Sequence, residues 1–501
     1  MASPAHSPKR AKDKALPNLA HTPSNEPLHA VEFAKTHRVR TIIVSVVIAL
    51  LGFVGTFAAA TYLDIANTVK SAGVKNYVTG TSTDEKEAIT DPNSGKPVNI
   101  VLLGQDTRDG AGNSSIGGSL EGEHNADTTM IVQIAADRSY INLVSIPRDS
   151  IVDQPACTTS KGTMAARSNV MFNSIFAAAY QYGGDVASAA SCTTTALADL
   201  TGIDLSLFIV ADFQGLKKMI DVIGGVDLCI PQDVSDSYTG LKLSKGLQHL
   251  DGTKATQYAR LRHGMGDGSD IMRTVRQQYL IKAVISQVLS KNLLTNSDQL
   301  YQLVHTGISA LQMSETLADL STLAGLAGSL SNFSTSHLYS RTVPTEAYPG
   351  DLNRVQWASG ASELWKKMKN NEPISKTTSS SSTSSGSSSD STSSNGSSDS
   401  SSTSSDTDSS TSSNATTEDS NSSSPSSSSD SDSDSSSGSS STKVDSKTGL
   451  YTDSNGQLID PKTGGIVDPE TGVITDPDTG YAMGYADQYL SATVCAVTAQ
   501  N

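Results

Sequence analysis

Thr41 to Leu63 reads TIIVSVVIALLGFVGTFAAATYL, 23 residues without one charged side chain. As a helix this stretch is about 35 Å long, enough to cross a bilayer with some tilt. A cleaved signal peptide has a shorter apolar region, about 7–15 residues, and the charged tail ahead of this one is long for such a peptide. The segment therefore reads as an uncleaved anchor. Lys35, Arg38 and Arg40 precede it and Asp64 follows. By the positive-inside tendency the N-terminal tail is cytoplasmic and everything after Leu63 lies outside.

The chain has 501 residues and a formal net charge of −15. Nine acids (Asp390, Asp399, Asp406, Asp408, Glu418, Asp419, Asp430, Asp432, Asp434) fall between Thr377 and Thr442, a run almost entirely of Ser, Thr, Asp, Asn and Gly with one Pro and no basic residue. Such a run has too little apolar surface to offset the entropy of ordering and is expected to be disordered. The remainder is nearer neutrality, so the overall acidity says little about a ligand. Cys157, Cys192, Cys229 and Cys495 are the only cysteines, without the spacing of a zinc site. Outside the membrane they can form disulfides. Cys157 and Cys192, which flank one helical stretch, are the candidate pair, and Cys229, inside GGVDLCIP, reads as a buried thiol.

Between these segments the pattern is α/β. VNIVLLG (98–104), TTMIVQIA (128–135) and YINLVSIP (140–147) are short β-branched runs that read as buried strands. VMFNSIFAAAYQYGG and DVASAASCTTTALADLTG read as helices ending at glycine. LSLFIVADF returns to strand, FQGLKKMIDVIGG to helix, and VDLCIP to strand. A long helix opens near SDIMRTVRQQ with Ser269 or Asp270 as N-cap. Alternation of this kind predicts a central sheet with helices on both faces. Near the C-terminus, Asp445, Asp453, Asp460, Asp468 and Asp476 open units of seven or eight residues, several of them Asp-Pro-x-Thr-Gly. This is turn chemistry, read as a small turn-and-strand array or a loosely ordered wall-contact tail. A calcium-binding Gly-Gly-x-Gly-x-Asp signature is absent.

Four arginines crowd into QYARLRHGMGDGSDIMRTVRQQ: Arg260, Arg262, Arg273 and Arg276. Guanidinium forks match phosphate oxygens and stay charged near neutral pH. Arg273 and Arg276 share a face near a helix start, where the backbone dipole favours anions, and that face reads as distinct from the apolar one. If YARLR runs extended, Arg260 and Arg262 point the same way. Arg148 follows a strand in SIPRDS, with Asp149 beside it to hold its rotamer, and strand ends are where α/β sheets bind ligands. LLGQDTRDG brings Asp106, Arg108 and Asp109 to one strand end, and HNADTTMIV brings Asp127 to the next. Two carboxylates beside arginines suit Mg²⁺ bridging phosphate oxygens, although Asp at a strand end is also common turn chemistry.

GQDTR, ADTTMIV, VSIPRDS, FNSIFAAAYQYGG, YARLR and DIMRTVRQQ stand in the order seen in the LytR-CpsA-Psr family, which the chain resembles from about Val98 to Gln278. The resemblance implies a membrane-anchored enzyme with an α/β/α domain outside the cell. Such an enzyme moves an anionic glycopolymer from a polyprenyl-pyrophosphate carrier to peptidoglycan, forming a phosphodiester. It implies Mg²⁺ as cofactor, with Asp106 and Asp127 on the metal side. Arg148, Arg260 and Arg262, with Asp106, are the catalytic candidates, and Arg148, Arg260, Arg262, Arg273, Arg276 and Gln277 the pyrophosphate contacts. The proton acceptor stays open between Asp106 and Asp127, since a metal ligand is a poor base. Asn125 and Met171 stand where many members carry an arginine and a lysine, so the charge balance around the phosphates differs.

The expected organisation is a cytoplasmic disordered tail (1–40), a transmembrane helix (41–63), an extracellular stem (64–96) and an α/β/α catalytic domain with a central mixed sheet (97–370). A disordered Ser-rich linker (371–442) and a repeat tail (443–501) complete it. Two readings compete with transfer: hydrolysis of the same polyprenyl-pyrophosphate sugar, with water as acceptor, and a non-catalytic wall-binding or spacer role. Nucleic-acid binding, the other common use of clustered arginines, is set aside because those arginines follow the anchor and face the exterior.

Overall fold

The computed structural model describes residues 28–78, 95–107, 113, 124–290, 297–375 and 443–496. Arg108, Asp109 and residues 376–442 of the expected linker lie outside the described residues. Helix α1 runs Leu28–Ser71, and its Arg40–Ser71 part is long and apolar enough to cross a membrane. It begins inside the segment read as a disordered tail, because no Gly or Pro interrupts residues 28 to 51.

Seven strands form the central sheet: β1 Gly73–Val74, β2 Val98–Asp106, β3 Asn125–Ile134, β4 Ile141–Ile146, β5 Leu207–Ala211, β6 Gln312–Ser314 and β7 Leu338–Thr342. Their order is β1-β6-β5-β2-β3-β4-β7. The sheet is mixed: β1–β6, β5–β2 and β4–β7 are parallel, the other pairs antiparallel. The stretch read as a stem thus supplies an edge strand, and Tyr77 N donates to Ser191 Oγ at 2.9 Å. Alternate side chains of each strand enter opposite layers, which is why the strands are apolar throughout rather than every second residue. Val101, Leu103, Ile131, Val144 and Ile146 pack under helices α2 Asn173–Gly183 and α3 Val186–Thr201. Ile100, Met130, Val132, Ile141 and Leu143 pack on the other side with Leu317, Leu330 and Ile281. The α/β/α architecture follows from that two-sided burial.

A third apolar cluster lies beside the sheet. Helices α4 Phe213–Val222, α5 Gly252–Arg260 and α6 Asp270–Ser290 enclose it with a hairpin of Val226–Ile230 and Gly246–Leu250. Ser269 caps α6, its Oγ accepting from Met272 N at 3.2 Å, so the cap is Ser269 and Asp270 sits in the first turn.

The repeats form a sheet of five short strands: β8 Tyr451–Thr452, β9 Leu458–Ile459, β10 Ile466–Val467, β11 Val473–Thr475 and β12 Ala482–Tyr485. Each opening aspartate accepts a backbone N–H two residues on, as Asp468 Oδ1 does from Glu470 N at 2.8 Å. Each turn closes on a glycine at positive φ (Gly449, Gly456, Gly464, Gly472, Gly480). Of the two readings of the repeats, the structure takes the turn-and-strand array. Two disulfides are present, Cys157–Cys192 and Cys229–Cys495. Cys229 is therefore not a free buried thiol. The C-terminal segment folds back beside its hairpin, a contact spanning 266 residues of chain that local sequence cannot signal.

The repeat turns yield a graded test. A side chain at Gly456 would meet open space, so Gly456→Ala carries only the left-handed backbone cost, about 1–2 kcal/mol. At Gly472 a Cβ would also stand 2.5 Å from Leu490 Cδ2. Gly472→Ala should therefore lower the urea midpoint of the protein more than Gly456→Ala does.

Candidate active site

Antiparallel pairing of β2 with β3 and of β3 with β4 brings the end of β2, the start of β3 and the end of β4 to one sheet edge. Asp106 is the last residue of β2, Asp127 the third of β3, and Arg148 follows β4 by two. The parallel pairing of β5 with β2 sets Phe213, at the start of α4, on the same edge. The Arg260 guanidinium lies over its ring, 4.7 Å from the centroid. The YARLR segment does not run extended: Arg260 ends α5 and Arg262 follows the turn. The two side chains are therefore set by a helix terminus rather than by strand alternation.

The core of the site is an ionic knot. Arg148 Nη1 donates to both oxygens of Asp127, at 3.0 and 2.9 Å. Arg148 Nε lies 2.9 Å from Asp270 Oδ1. Arg273 Nη1 donates to Asp127 Oδ2 at 3.4 Å, and its Nη2 lies 2.6 Å from Asp270 Oδ1. The Asp270 contacts are close in distance but off-line as hydrogen bonds. Asp149 stands 3.8 Å from Arg148 Nε and accepts a shorter bond, 2.9 Å, from Arg354 Nη1. Arg354 lies on the strand Asp351–Trp357, whose Val355 N bonds the Asp149 carbonyl.

The two central carboxyls share the same guanidiniums and shift apart. Burial pushes Asp127 up, but the Arg273 and Arg148 charges and the Arg148 hydrogen bond outweigh it and hold the group below its usual value. At Asp270 burial prevails over Arg273 and Arg148, helped by repulsion from Asp149 and Asp127, and the group is raised. Arg262 is exposed, with its guanidinium in no ion pair or hydrogen bond to another described residue. Partial desolvation, then Arg273 and Arg148, pull its pKa down, so the potential there is positive. An anion reaching this edge meets Arg262 first, backed by Arg148 and Arg273.

Two expected contacts face elsewhere. Arg276 is wholly buried and donates to the carbonyls of Met265 (3.1 Å) and Leu261 (2.6 Å). Gln277 Nε2 donates to Ala259 O at 3.0 Å. Both hold the arginine segment from beneath. The face shared by Arg273 and Arg276 is buried: a carboxylate and two carbonyls accept from Arg273 Nη1 and from Arg276 Nη1 and Nη2 while the stems pack, and Arg273 Nε and Nη2 and Arg276 Nε make no hydrogen bond among the described residues. Arg354 carried no sequence signal, since its pairing with Asp149 spans 205 residues. Asp270 did carry one, an acid three residues ahead of Arg273 on a helix.

Among the described residues no group of three or more His, Cys, Asp or Glu side chains forms a metal shell. Asp106 ends β2 and Asp127 lies near the start of the adjacent β3, and both oxygens of Asp127 already accept from Arg148.

A family model, the LytR_cpsA_psr family, matches residues 63–380. The chain belongs to the LytR-CpsA-Psr family. It is 27% identical over 266 residues to "Cell wall biosynthesis protein LcpA" of Corynebacterium glutamicum, covering 50% of each chain. It is 26% identical over 276 residues to "Polyisoprenyl-teichoic acid--peptidoglycan teichoic acid transferase TagU" of Enterococcus faecalis, covering 55% of this chain and 78% of that one. The match thus spans half the length of the first relative. Among solved structures it is similar to a LytR-Csp2A-Psr enzyme from Actinomyces oris, at 23% identity and a TM-score of 0.41, over 59% of this chain and 95% of that one.

The opposed shifts set a titration order. On acidification Asp270 protonates first and Asp127 only below the usual carboxylate range. Stability from Asp127 is present above its unfolded pKa and is lost as pH falls through the depressed folded value. Carboxyl carbon NMR titration should show this order. In Arg148→Ala both groups should titrate higher than in the wild type, because each loses a neighbouring cation.

Proposed function

We propose that this protein transfers an anionic glycopolymer from a polyprenyl-pyrophosphate carrier onto peptidoglycan, forming a phosphodiester during cell-wall assembly. The observation that carries the reading is the arginine-rich sheet edge, where Arg262 stands exposed over the Arg148–Asp127–Arg273–Asp270 knot. Membership of the family and the cell-wall names of the relatives support it.

In this reading Arg262, Arg148, Arg273 and Arg260 hold the pyrophosphate and oppose the charge that builds as its bridge breaks. A peptidoglycan hydroxyl attacks the phosphorus on the sugar side, and polyprenyl phosphate leaves. Asp127 locks the Arg148 fork, so the guanidinium is already oriented when substrate arrives. Mg²⁺ held by Asp106 and Asp127 would supply charge neutralisation at the phosphate oxygens.

The site works at the outer face of the cell membrane, with α1 as a single-pass anchor and its N-terminus in the cytoplasm. Lys35, Arg38 and Arg40 ahead of the span and the two disulfides beyond it support that orientation. Nucleic acid is not a partner in this reading. Asp64, just past the span, accepts from Tyr301 Oη at 3.2 Å and lies 3.0 Å from His305 Nε2. These contacts hold the domain close to its lipid-borne donor.

The test is transfer by purified protein from a polyprenyl-pyrophosphate-linked saccharide to peptidoglycan fragments. Arg148→Ala and Arg260→Ala should each lower it by on the order of 10²–10³-fold with the circular dichroism spectrum retained. Release of sugar phosphate to water with no peptidoglycan adduct would assign the protein as a hydrolase instead.

A further inference from the structure

The repeat module does not hang free of the domain. Strand β12 packs on α6 and β7, with the Tyr485 ring 5.2 Å from that of Tyr279. Lys282 pairs with Asp487, Arg341 Nη2 lies 3.5 Å from Asp476 Oδ2, and the Cys229–Cys495 bond staples the end of the module to the hairpin beside α6. Tyr485 and Leu490 are buried members of the same apolar cluster as Tyr258, Leu261, Met265 and Met272. The module therefore completes the core beneath the arginine segment.

What it covers bears on the site. Arg276 is fully buried and holds the carbonyls of Leu261 and Met265, both of which share an apolar cluster with Tyr485. Gln277 holds that of Ala259. Those three carbonyls bracket Arg260 and Arg262. The loop that follows turns on Gly264, Gly266 and Gly268, all at positive φ. Glycines impose little resistance to rearrangement, so the segment takes its shape from the bonds to its carbonyls, those of Arg276 and Gln277 and that of Gln232 Nε2 to Gly264 O at 3.3 Å. Water admitted beside Arg276 would compete for them.

We infer that the C-terminal repeat module is a positioning element for the arginine segment, latched by the Cys229–Cys495 disulfide. It sets Arg260 and Arg262 through Tyr485, Arg276 and the Leu261 and Met265 carbonyls. The effect of that positioning on pyrophosphate binding rests on the function proposed above.

Hydrogen–deuterium exchange on the full chain in detergent tests it. In Tyr485→Ala and in Cys229→Ser/Cys495→Ser, exchange over residues 257–268 should rise at least about ten-fold while β2, β3 and β4 keep their protection. Tyr485→Phe should match the wild type, and Cys157→Ser/Cys192→Ser should raise exchange near 157–192 instead. In the transfer assay the first two variants should raise KM for the polyprenyl-pyrophosphate donor more than they lower kcat. Unchanged exchange over 257–268, or a uniform rise across the whole domain, overturns the inference. If the double cysteine variant does not fold, Tyr485→Ala and mild reduction of the intact protein decide by the same readout. A wild-type chain that transfers nothing, yet loosens at 257–268 on reduction, would count against the proposed function and leave the positioning role in place.

Discussion

Arg148 and Asp127 meet where three strands and one helix come together, and the site's shape depends on that pairing. Neither charge could be held so far from water alone, since a partly buried ion without a partner costs several kcal/mol, on the order of the stability of a domain. Arg273 and Asp270 close the pair into a knot, so the start of α6 is drawn against the edges of β3 and β4. The start of the helix and the strand ends, from positions 127 to 273, are thereby held by charge, while Ile281 farther along α6 packs on an apolar face of the sheet. The two carboxyls are about equally buried, and their opposed shifts follow from the Arg148 hydrogen bonds that Asp127 accepts and Asp270 lacks, and from the acidic neighbours Asp149 and Asp127 beside Asp270.

The same geometry explains why so many guanidiniums can gather without destabilising the fold. Arg148, Arg273 and Arg354 each have a carboxylate, and Arg276 has carbonyls. Arg262 remains toward solvent as the group whose charge is least answered by the protein. The division between paired and solvent-facing arginines is thus a division by partner. Residue type alone cannot make it.

The ends of the low-complexity segment bear on how the chain is built. Ile374 and Ser375 on one side, and Thr448 and Gly449 on the other, line one open pocket with Arg341 and Tyr485. The chain therefore leaves the domain and returns to it at nearly the same place. A spacer that carries the repeats away from the domain would separate those ends. At the other end of the domain, α1 passes directly into β1, so the anchor and the sheet are one continuous stretch of backbone.

The α/β class, the strands at 98–104, 128–135 and 140–147 and the repeat turns were legible because each is written in local pattern: apolar runs, capping residues, Asp-to-Gly spacing. The gathering of Asp127 and Arg148 was legible too, since both stand at strand ends and adjacent strands share an edge. Legibility failed for Arg276 and Gln277, where a charged or polar residue turned inward to backbone carbonyls, and for Arg354 and Cys495, whose partners are more than 200 residues away. By itself the sequence determined which segments are helix, strand, turn or apolar span, because those depend on neighbours within a few positions. Only the tertiary structure decided which arginines face the open sheet edge and which face the core, because that depends on where distant carboxylates and carbonyls come to rest.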